Sequence, residues 1–185
     1  HILSSNGGVE ITTSGATKLI DGYISAKVAV KVTNYKVNQS ISAGDYIELN
    51  NSNVTGSLTS QSNGSYSIAV SNNSSISGDI LTKGYVSVSH SSVDGNIDNT
   101  QGSNQSMAIV SSRVGGNITA KGYVDIQYSQ VSGVVSSTNE GGQVKNSKVK
   151  GNVDVKKYLH VIESSYVCGV ASSSNEGANI SNSYV

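Results

Sequence analysis

Aliphatic residues occupy every second position in short runs along most of this chain, and glycine or polar residues separate the runs. Residues 112–128 show the pattern clearly, with polar side chains between the aliphatic ones Val114, Ile118, Ala120, Val124 and Ile126. A period of two places these five side chains on one face of extended strands. Gly116 and Gly122 stand between the runs, where we expect the chain to turn because glycine turns most freely. The pattern predicts short strands and argues against helix.

A motif of the form Ser-x-Val/Ile-x-Gly recurs along the chain. Its seven matches begin at residues 52, 74, 91, 112, 129, 147 and 165, and weaker copies, KLIDG and YKVNQ, begin at 18 and 35. Successive copies are 17 to 22 residues apart. Regular spacing of this kind is the signature of a repeat protein in which each unit stacks on the next.

A unit of this length cannot bury its own aliphatic face, so stacking must supply the core. We therefore predict an all-β fold, a single-stranded parallel β-solenoid (β-helix) of about nine to ten coils. Residues 1–185 form one domain, in which 1–17 are a partial N-terminal coil, 18–182 nine full coils and 183–185 the start of a further coil. With ~4.8 Å between coils, nine coils give a rod of roughly 45 Å.

Short and long units alternate, which makes two coils the true repeat. The long units carry the polar inserts TSQSNGSYS, DNTQGSNQS, SSTNEGG and SSSNEGA, which we expect to line up along one edge of the rod. The short units carry a tyrosine in a constant place, which predicts a column of rings about 10 Å apart. This possible binding stripe comprises Tyr46, Tyr85, Tyr123 and Tyr158, flanked by Lys83, Lys121 and Lys156. The alternative is that the tyrosines only cover a corner.

The two ends of the chain match each other and carry no cap. Residues 183–185 begin the motif, residues 3–12 (LSSNGGVEIT) match 118–127 (ITAKGYVDIQ), and joining the ends of two copies keeps the alternation of short and long units. We expect head-to-tail assembly, because solenoid ends are unpaired strand edges. The predicted interface comprises His1, Ile2, Leu3, Val9, Ile11, Ile180, Tyr184 and Val185. Excision from a longer solenoid and a capped monomer are the alternatives.

Composition excludes several function classes. Twelve basic and twelve acidic residues balance, so nothing favours nucleic acid as a partner. No apolar run is long enough for a transmembrane segment.

The one cysteine, Cys168, excludes an intrachain disulfide, and no motif for a cofactor or metal is present. Abundant Ser, Asn and Gly, with His1 in place of Met, predict an extracellular or cell-surface protein whose leader has been removed.

Acidic residues and histidines give little support to catalysis. Glu10, Glu48 and Asp125 occupy the same outward place in their coils, with Glu10 and Glu48 two coils apart. Their expected separation of about 10 Å slightly exceeds that of an inverting glycosidase pair. His1 has no second histidine placed beside it to complete a copper site. We therefore predict that the protein is not an enzyme.

The phrase GNITAKGYVDIQYSQVSG resembles the right-handed β-helical repeats of filamentous-haemagglutinin-type surface adhesins. It also resembles bactofilins, cytoskeletal β-helices that polymerise end to end without nucleotide. Both resemblances cover roughly residues 18–185 and rest on the repeat pattern. The first implies a surface location and a right-handed coil, although the residues themselves leave the hand open, and the second implies polymerisation.

These observations predict a structural subunit of an extracellular or cell-surface filament, whose partners are copies of itself. The alternative is an adhesin or phage-type receptor-binding shaft that recognises a glycan or a host surface through the inserts or the tyrosine column.

Overall fold

The computed structural model describes residues 1–185, which form 29 short strands that all pair in parallel. The chain winds through about ten turns of a β-solenoid, and each turn adds one strand to each of three sheets. The predicted fold class is confirmed. None of the elements is a helix of the length and apolarity needed to cross a membrane.

The strands of each sheet follow one another in coil order. The first sheet contains β1 (Ile2–Ser4), β4 (Ile24–Ala26), β7 (Ile41–Ala43), β10 (Leu58–Ser60), β13 (Ile80–Thr82), β16 (Ile97–Asp98), β19 (Ile118–Ala120), β22 (Val135–Ser137), β25 (Val153–Val155) and β28 (Ala171–Ser173). The second contains β2 (Val9–Thr12), β5 (Val30–Thr33), β8 (Ile47–Asn50), β11 (Ile68–Ser71), β14 (Val86–Ser89), β17 (Met107–Val110), β20 (Val124–Gln127), β23 (Gly142–Lys145), β26 (Leu159–Ile162) and β29 (Ala178–Ile180). The third contains β3 (Lys18–Ile20), β6 (Tyr35–Val37), β9 (Asn53–Val54), β12 (Ser75–Ile76), β15 (Ser92–Val93), β18 (Arg113–Val114), β21 (Gln130–Val131), β24 (Lys148–Val149) and β27 (Tyr166–Val167). Coil 1 is thus β1 to β3, and coil 10 is β28, β29 and a bridge from Tyr184 to Tyr166.

The core is a continuous column of 35 buried hydrophobic residues inside the three sheets, all of them aliphatic except Met107. The predicted alternation is present in residues 112–128: Val114, Ile118, Ala120, Val124 and Ile126 are all buried. Val114, Ile118 and Ile126 each lie opposite a valine of the next coil, whereas Val124 lies opposite Gly142 and Ala120 opposite Ser137. A narrow core of this kind accommodates Val and Ile and leaves no space for large rings.

A ladder of buried serines closes the corner between the second and third sheets. The repeated motif begins with these residues: Ser52, Ser74, Ser91, Ser112, Ser129, Ser147 and Ser165. In each coil the backbone N–H of the serine donates to the hydroxyl of the serine one coil further on, at 3.0 to 3.3 Å. The hydroxyl in turn donates to a backbone carbonyl two or three residues earlier in its own coil. The corner therefore buries its polar groups with partners.

The chain bends at Gly116 and Gly122, as predicted, but freedom to turn is not what requires glycine there. Neither Gly116 nor Gly122 has a positive φ, so a left-handed turn does not explain them. Glycines of successive coils instead stack directly, and the N–H of Gly133 donates to the carbonyl of Gly116 at 3.2 Å. A Cβ on Gly133 would lie 2.5 Å from the carbonyl oxygen of Gly116. Close approach of coil to coil is what requires glycine here.

Buried polar side chains explain the two-coil repeat. In the long coils the inward residue two places after the first aliphatic residue of the first-sheet strand is Ser60, Asn99, Ser137 or Ser173. Each of these side chains donates to a backbone carbonyl at the corner of the preceding short coil, as Ser137 Oγ does to Gly122 at 2.7 Å and Asn99 Nδ2 to Gly84 at 3.1 Å. The insert carries the backbone of the long coil away from that corner. Its N–H groups therefore cannot reach the carbonyl of the short coil, and the polar side chain donates to that carbonyl instead. Most short coils have alanine or valine at this place.

Candidate assembly faces and tyrosine column

The N-terminal face of the rod is coil 1, whose strands pair with coil 2 on one side only. Ile2, Val9 and Ile11 point inward but are half-buried, because no coil covers them. His1 folds back onto coil 2, where its ring lies 4.4 Å from that of Tyr23. These residues of the predicted interface therefore do lie at an open end.

Leu3 corrects the predicted match of residues 3–12 with 118–127. The structure pairs Ile2, not Leu3, with Ile24, while Leu3 faces outward opposite Ser25 and is 68% exposed. Seven positions separate Ile2 from Val9, one more than the six between the equivalent residues of short coils. Coil 1 therefore has one extra residue in its loop, SNGG, and joining two copies does not keep the predicted alternation of short and long coils.

The C-terminal face is coil 10. Its strands β28 and β29 pair only with coil 9, and Ile180 and Val185 are 44% and 55% exposed. Tyr184 bridges to Tyr166, and their rings lie 6.2 Å apart, which leaves Tyr184 73% exposed at the end of the rod. The predicted C-terminal interface residues thus share one exposed face.

The tyrosine column is present in the predicted register. Tyr46, Tyr85, Tyr123 and Tyr158 each stand one residue before a strand of the second sheet, in alternate coils. Serine or glycine stands at the same place in the coils between and after them, namely Ser67, Ser106, Gly141 and Gly177. Alternate coils are about 10 Å apart, so each small residue leaves a gap between rings.

The rings close some of these gaps. Those of Tyr123 and Tyr158 approach to 6.1 Å across Gly141, and Tyr66, from an insert, lies edge-on to Tyr85 at 6.3 Å. Burial, followed by the negative charge of Asp125, raises the pKa of Tyr123 to about 12. Burial likewise raises the pKa of Tyr85. These two rings are therefore packed parts of the surface and keep their protons.

The flanking lysines do not lie over the tyrosine rings. Lys83, Lys121 and Lys156 stand at the corner two residues before a tyrosine, and Lys121 Nζ donates to the carbonyl of Gly102 at 2.7 Å. The cation over a ring of the column is Lys31, 5.6 Å from the centre of Tyr46. Sequence reasoning missed Lys31, because its coil has Ala29 rather than a tyrosine at the column position.

An apolar cleft of about 430 Å³ opens in the column between Tyr46 and Tyr66. Ser67 and Ala69 form its floor, and Glu48 lies at its edge. Tyr46 is held by Lys31 and Tyr66 by the edge of Tyr85, so both walls are supported from behind. Tyr66 lies in an insert, outside the repeat, and the periodicity therefore gave no signal for it.

The acidic column differs from the prediction in one respect. Glu10 and Glu48 do face outward in one register, but Lys31 stands between them. Its Nζ lies 3.4 Å from the carboxylate of Glu48. Hydrogen bonding to Tyr46 and the charge of Glu48 raise the pKa of Lys31. The two glutamates therefore lie on either side of a cation rather than across a gap.

The inserts line up along the edge between the first and second sheets, as predicted, and bond to one another. Asn63 accepts from the backbone N–H of Ser103, 40 residues on, at 2.6 Å, and Asn104 donates to Glu140 at 2.8 Å. Lys157 pairs with Glu140 at 2.6 Å and, with Asn104, lowers the pKa of its carboxyl. These contacts join alternate coils into one polar ridge.

In comparisons with known proteins, no family model, no curated protein and no solved structure matches the chain. The solenoid fold is shown by strand pairing alone. The likeness to haemagglutinin-type repeats and bactofilins stays a prediction from the repeat pattern.

Proposed function

We propose that the chain is a structural β-solenoid subunit that assembles head to tail into an extracellular or cell-surface filament. The observation that carries this proposal is that both ends of the rod present unpaired strand edges and half-covered aliphatic residues. Such edges pair readily with another strand of the same kind. Contact between two different faces of one subunit does not close and yields an open fibre.

The register of the coils defines how the two faces would meet. If coil 1 of one copy continues the pairing of coil 10 of another, Ile2 lies opposite Ala171 and Ile11 opposite Ile180. In the third sheet, Leu19 then lies opposite Tyr184. Leu19 and Tyr184 are 59% and 73% exposed in the single chain, and stacking would cover both.

Two inserted coils meet at this junction, and their loops are compatible. Ile2 to Val9 and Ala171 to Ala178 both span seven positions, and the loops read SSNGG and SSNEG from Ser4 and Ser173 onward. Loops of equal length and similar sequence can stack coil on coil without displacing the strands on either side. The break in alternation therefore does not oppose the junction.

Electron microscopy and analytical ultracentrifugation of the purified chain test assembly directly. We expect filaments at high protein concentration and none with Val185→Asp, which places a charge on the C-terminal face. Leu81→Asp is the matched control, because Leu81 is 43% exposed on the outer side of the rod, away from both ends. Monomers at every concentration, or filaments formed equally by Val185→Asp, would refute the proposal.

A second candidate function is recognition of a glycan or host surface by the tyrosine column. The cleft between Tyr46 and Tyr66 favours it, since two tyrosine walls over a floor of small residues suit the apolar face of a sugar ring. A neutral-glycan binding screen with the native chain and Tyr66→Ser tests this function. Binding that is absent, or unchanged in the variant, excludes the cleft.

A further inference from the structure

The corner between the second and third sheets has a residue in the left-handed region immediately before each ladder serine, and in coils 4 and 9 the preceding residue is left-handed as well. Asparagine, which tolerates this conformation well, fills the place in coils 2, 3, 4, 8 and 10: Asn34, Asn51, Asn73, Asn146 and Asn182. Coil 9 has Ser164 at this place, and three consecutive coils also depart from asparagine, with His90, Ser111 and Tyr128. The run of three, but not Ser164, lines a cavity in the surface.

That cavity is a shallow surface groove of about 540 Å³, open to solvent over most of its extent, and it follows from the sizes of these three residues. Ser111 is small and stands between His90 and Tyr128, which are two coils apart and form the walls. The remaining lining is polar and includes the amide of Gln130 and the hydroxyl of Ser92. Tyr128 is the one hydrophobic side chain in the lining, and it is 58% exposed.

Arg113 gives this cavity a positive charge. It is the only arginine of the chain, it belongs to the same coil as Ser111, and its side chain lines the cavity. All three ion pairs of the structure use lysines, so Arg113 has no carboxylate partner. An arginine without a partner, exposed beside hydroxyl and amide groups, is suited to a carboxylate, which it binds with two parallel hydrogen bonds.

Tyr128 occupies its position at a conformational cost. Its φ is 52°, a region in which bulky residues are outliers and asparagine is tolerated. Asparagine, which stands at this place in five other coils, would therefore adopt the same backbone conformation at a lower cost in free energy. Strain of this kind at a cavity wall is a feature that points to function.

We propose that this cavity binds an acidic saccharide, with the carboxylate on Arg113 and the sugar ring against Tyr128. The serine hydroxyls and the Gln130 amide are donors and acceptors of the kind that sugar hydroxyls require. One aromatic wall, one cation and an otherwise polar lining distinguish it from the apolar cleft at Tyr66. The inference does not depend on filament assembly, since all lining residues belong to one chain.

Isothermal titration with a disaccharide that contains one glucuronic acid tests the proposal on the intact chain. We expect binding of this probe and not of its neutral glucose counterpart. Arg113→Gln should weaken binding about tenfold to hundredfold, the range for a lost charge-assisted hydrogen bond. Tyr128→Asn should weaken binding while raising the melting temperature, because it removes the strained ring and leaves the fold intact.

Two control variants separate this site from general effects. Lys148→Gln removes a positive charge from the same column of the third sheet, two coils away, and Tyr66→Ser removes the wall of the other cleft. Both should bind the acidic disaccharide as the native chain does. Equal binding of the neutral disaccharide, unchanged binding by Arg113→Gln, or no binding at millimolar probe would overturn the proposal. Inorganic sulfate that binds as tightly as the disaccharide would also overturn it, because a simple anion site would then suffice.

Discussion

The backbone N–H of Ser112 donates to the hydroxyl of Ser129, one coil further on, at 3.0 Å. The hydroxyl of Ser129 donates in its turn to the carbonyl of Gln127 at 2.7 Å. Both serines are buried, and the same pair of bonds recurs at each coil from Ser52 to Ser165. A buried corner thus keeps its backbone N–H groups satisfied through side chains.

Replacement of one ladder serine should be costly. Ser129→Ala leaves the N–H of Ser112 buried without an acceptor, and we expect a loss of about 1–3 kcal/mol in the free energy of unfolding. Urea denaturation followed by circular dichroism measures it. Ser77→Ala, at an exposed position near the same motif, is the control and should change stability little. Equal stability of the two variants would show that the ladder contributes nothing.

The glycine column predicts a sharper effect. Gly133→Ala would place a Cβ 2.5 Å from the carbonyl oxygen of Gly116, so the coils must separate, at a cost of about 2 kcal/mol or more. Gly15→Ala adds the same methyl group where no atom lies within 4 Å. The thermal midpoint should fall for the first variant and stay the same or rise for the second.

The buried hydroxyl of Ser137 tests the origin of the two-coil repeat. Ser137→Ala removes the donor to the carbonyl of Gly122, and we expect a loss of about 1–3 kcal/mol. Ser136→Ala makes the same change one residue earlier, where the hydroxyl faces outward. Hydrogen exchange of the amides around Gly122 should increase in the first variant only, since the corner loosens there.

Alkaline pH should destabilise the chain through Tyr123. Its pKa rises from 10.0 to about 12 on folding, chiefly because of burial, so the folded state holds the proton more tightly than the unfolded state. The associated stability is complete below pH 10 and is lost as pH rises towards 12. Tyr123→Phe should lose less stability than the native chain over this range. Parallel pH profiles of the two proteins would contradict the assignment.

The proposed filament has two different ends, which a single variant can separate. Ile180→Asp damages the C-terminal face but leaves Ile11 and the N-terminal face intact. A small fraction of this variant should therefore add to native filaments and stop one end, so that the mean filament length falls in electron micrographs. Unchanged filament length would show that Ile180 does not lie in the contact.

Periodicity predicted much of the fold, and the reason is physical. Val114, Ile118 and Val124 recur at strand spacing in each coil because one narrow core must be filled at every level. The tyrosine column and the edge of polar inserts followed from the same count of residues. Features that repeat with the coil are therefore visible in the sequence.

The sequence pattern missed or misplaced two kinds of feature: those set by the exact length of a loop, and those set by contacts between side chains of neighbouring coils. One extra residue between β1 and β2 moved Leu3 from the expected inward place to the outer face. Tyr66 and Lys31 took their places beside Tyr85 and Tyr46 through packing between coils, which the repeat does not encode.

The sequence by itself determined that the chain is a stack of parallel coils, because aliphatic alternation that recurs every 17 to 22 residues is buried most simply by stacking one unit on the next. Only the tertiary structure decided why glycine and serine stand at the corners. The close approach of one coil to the next explains both residues. It leaves no space for a Cβ at position 133, and it brings the hydroxyl of Ser129 within hydrogen-bonding distance of the N–H of Ser112. It also placed Arg113, His90 and Tyr128 around one cavity, since residues about one coil apart in sequence become neighbours only when the coils stack.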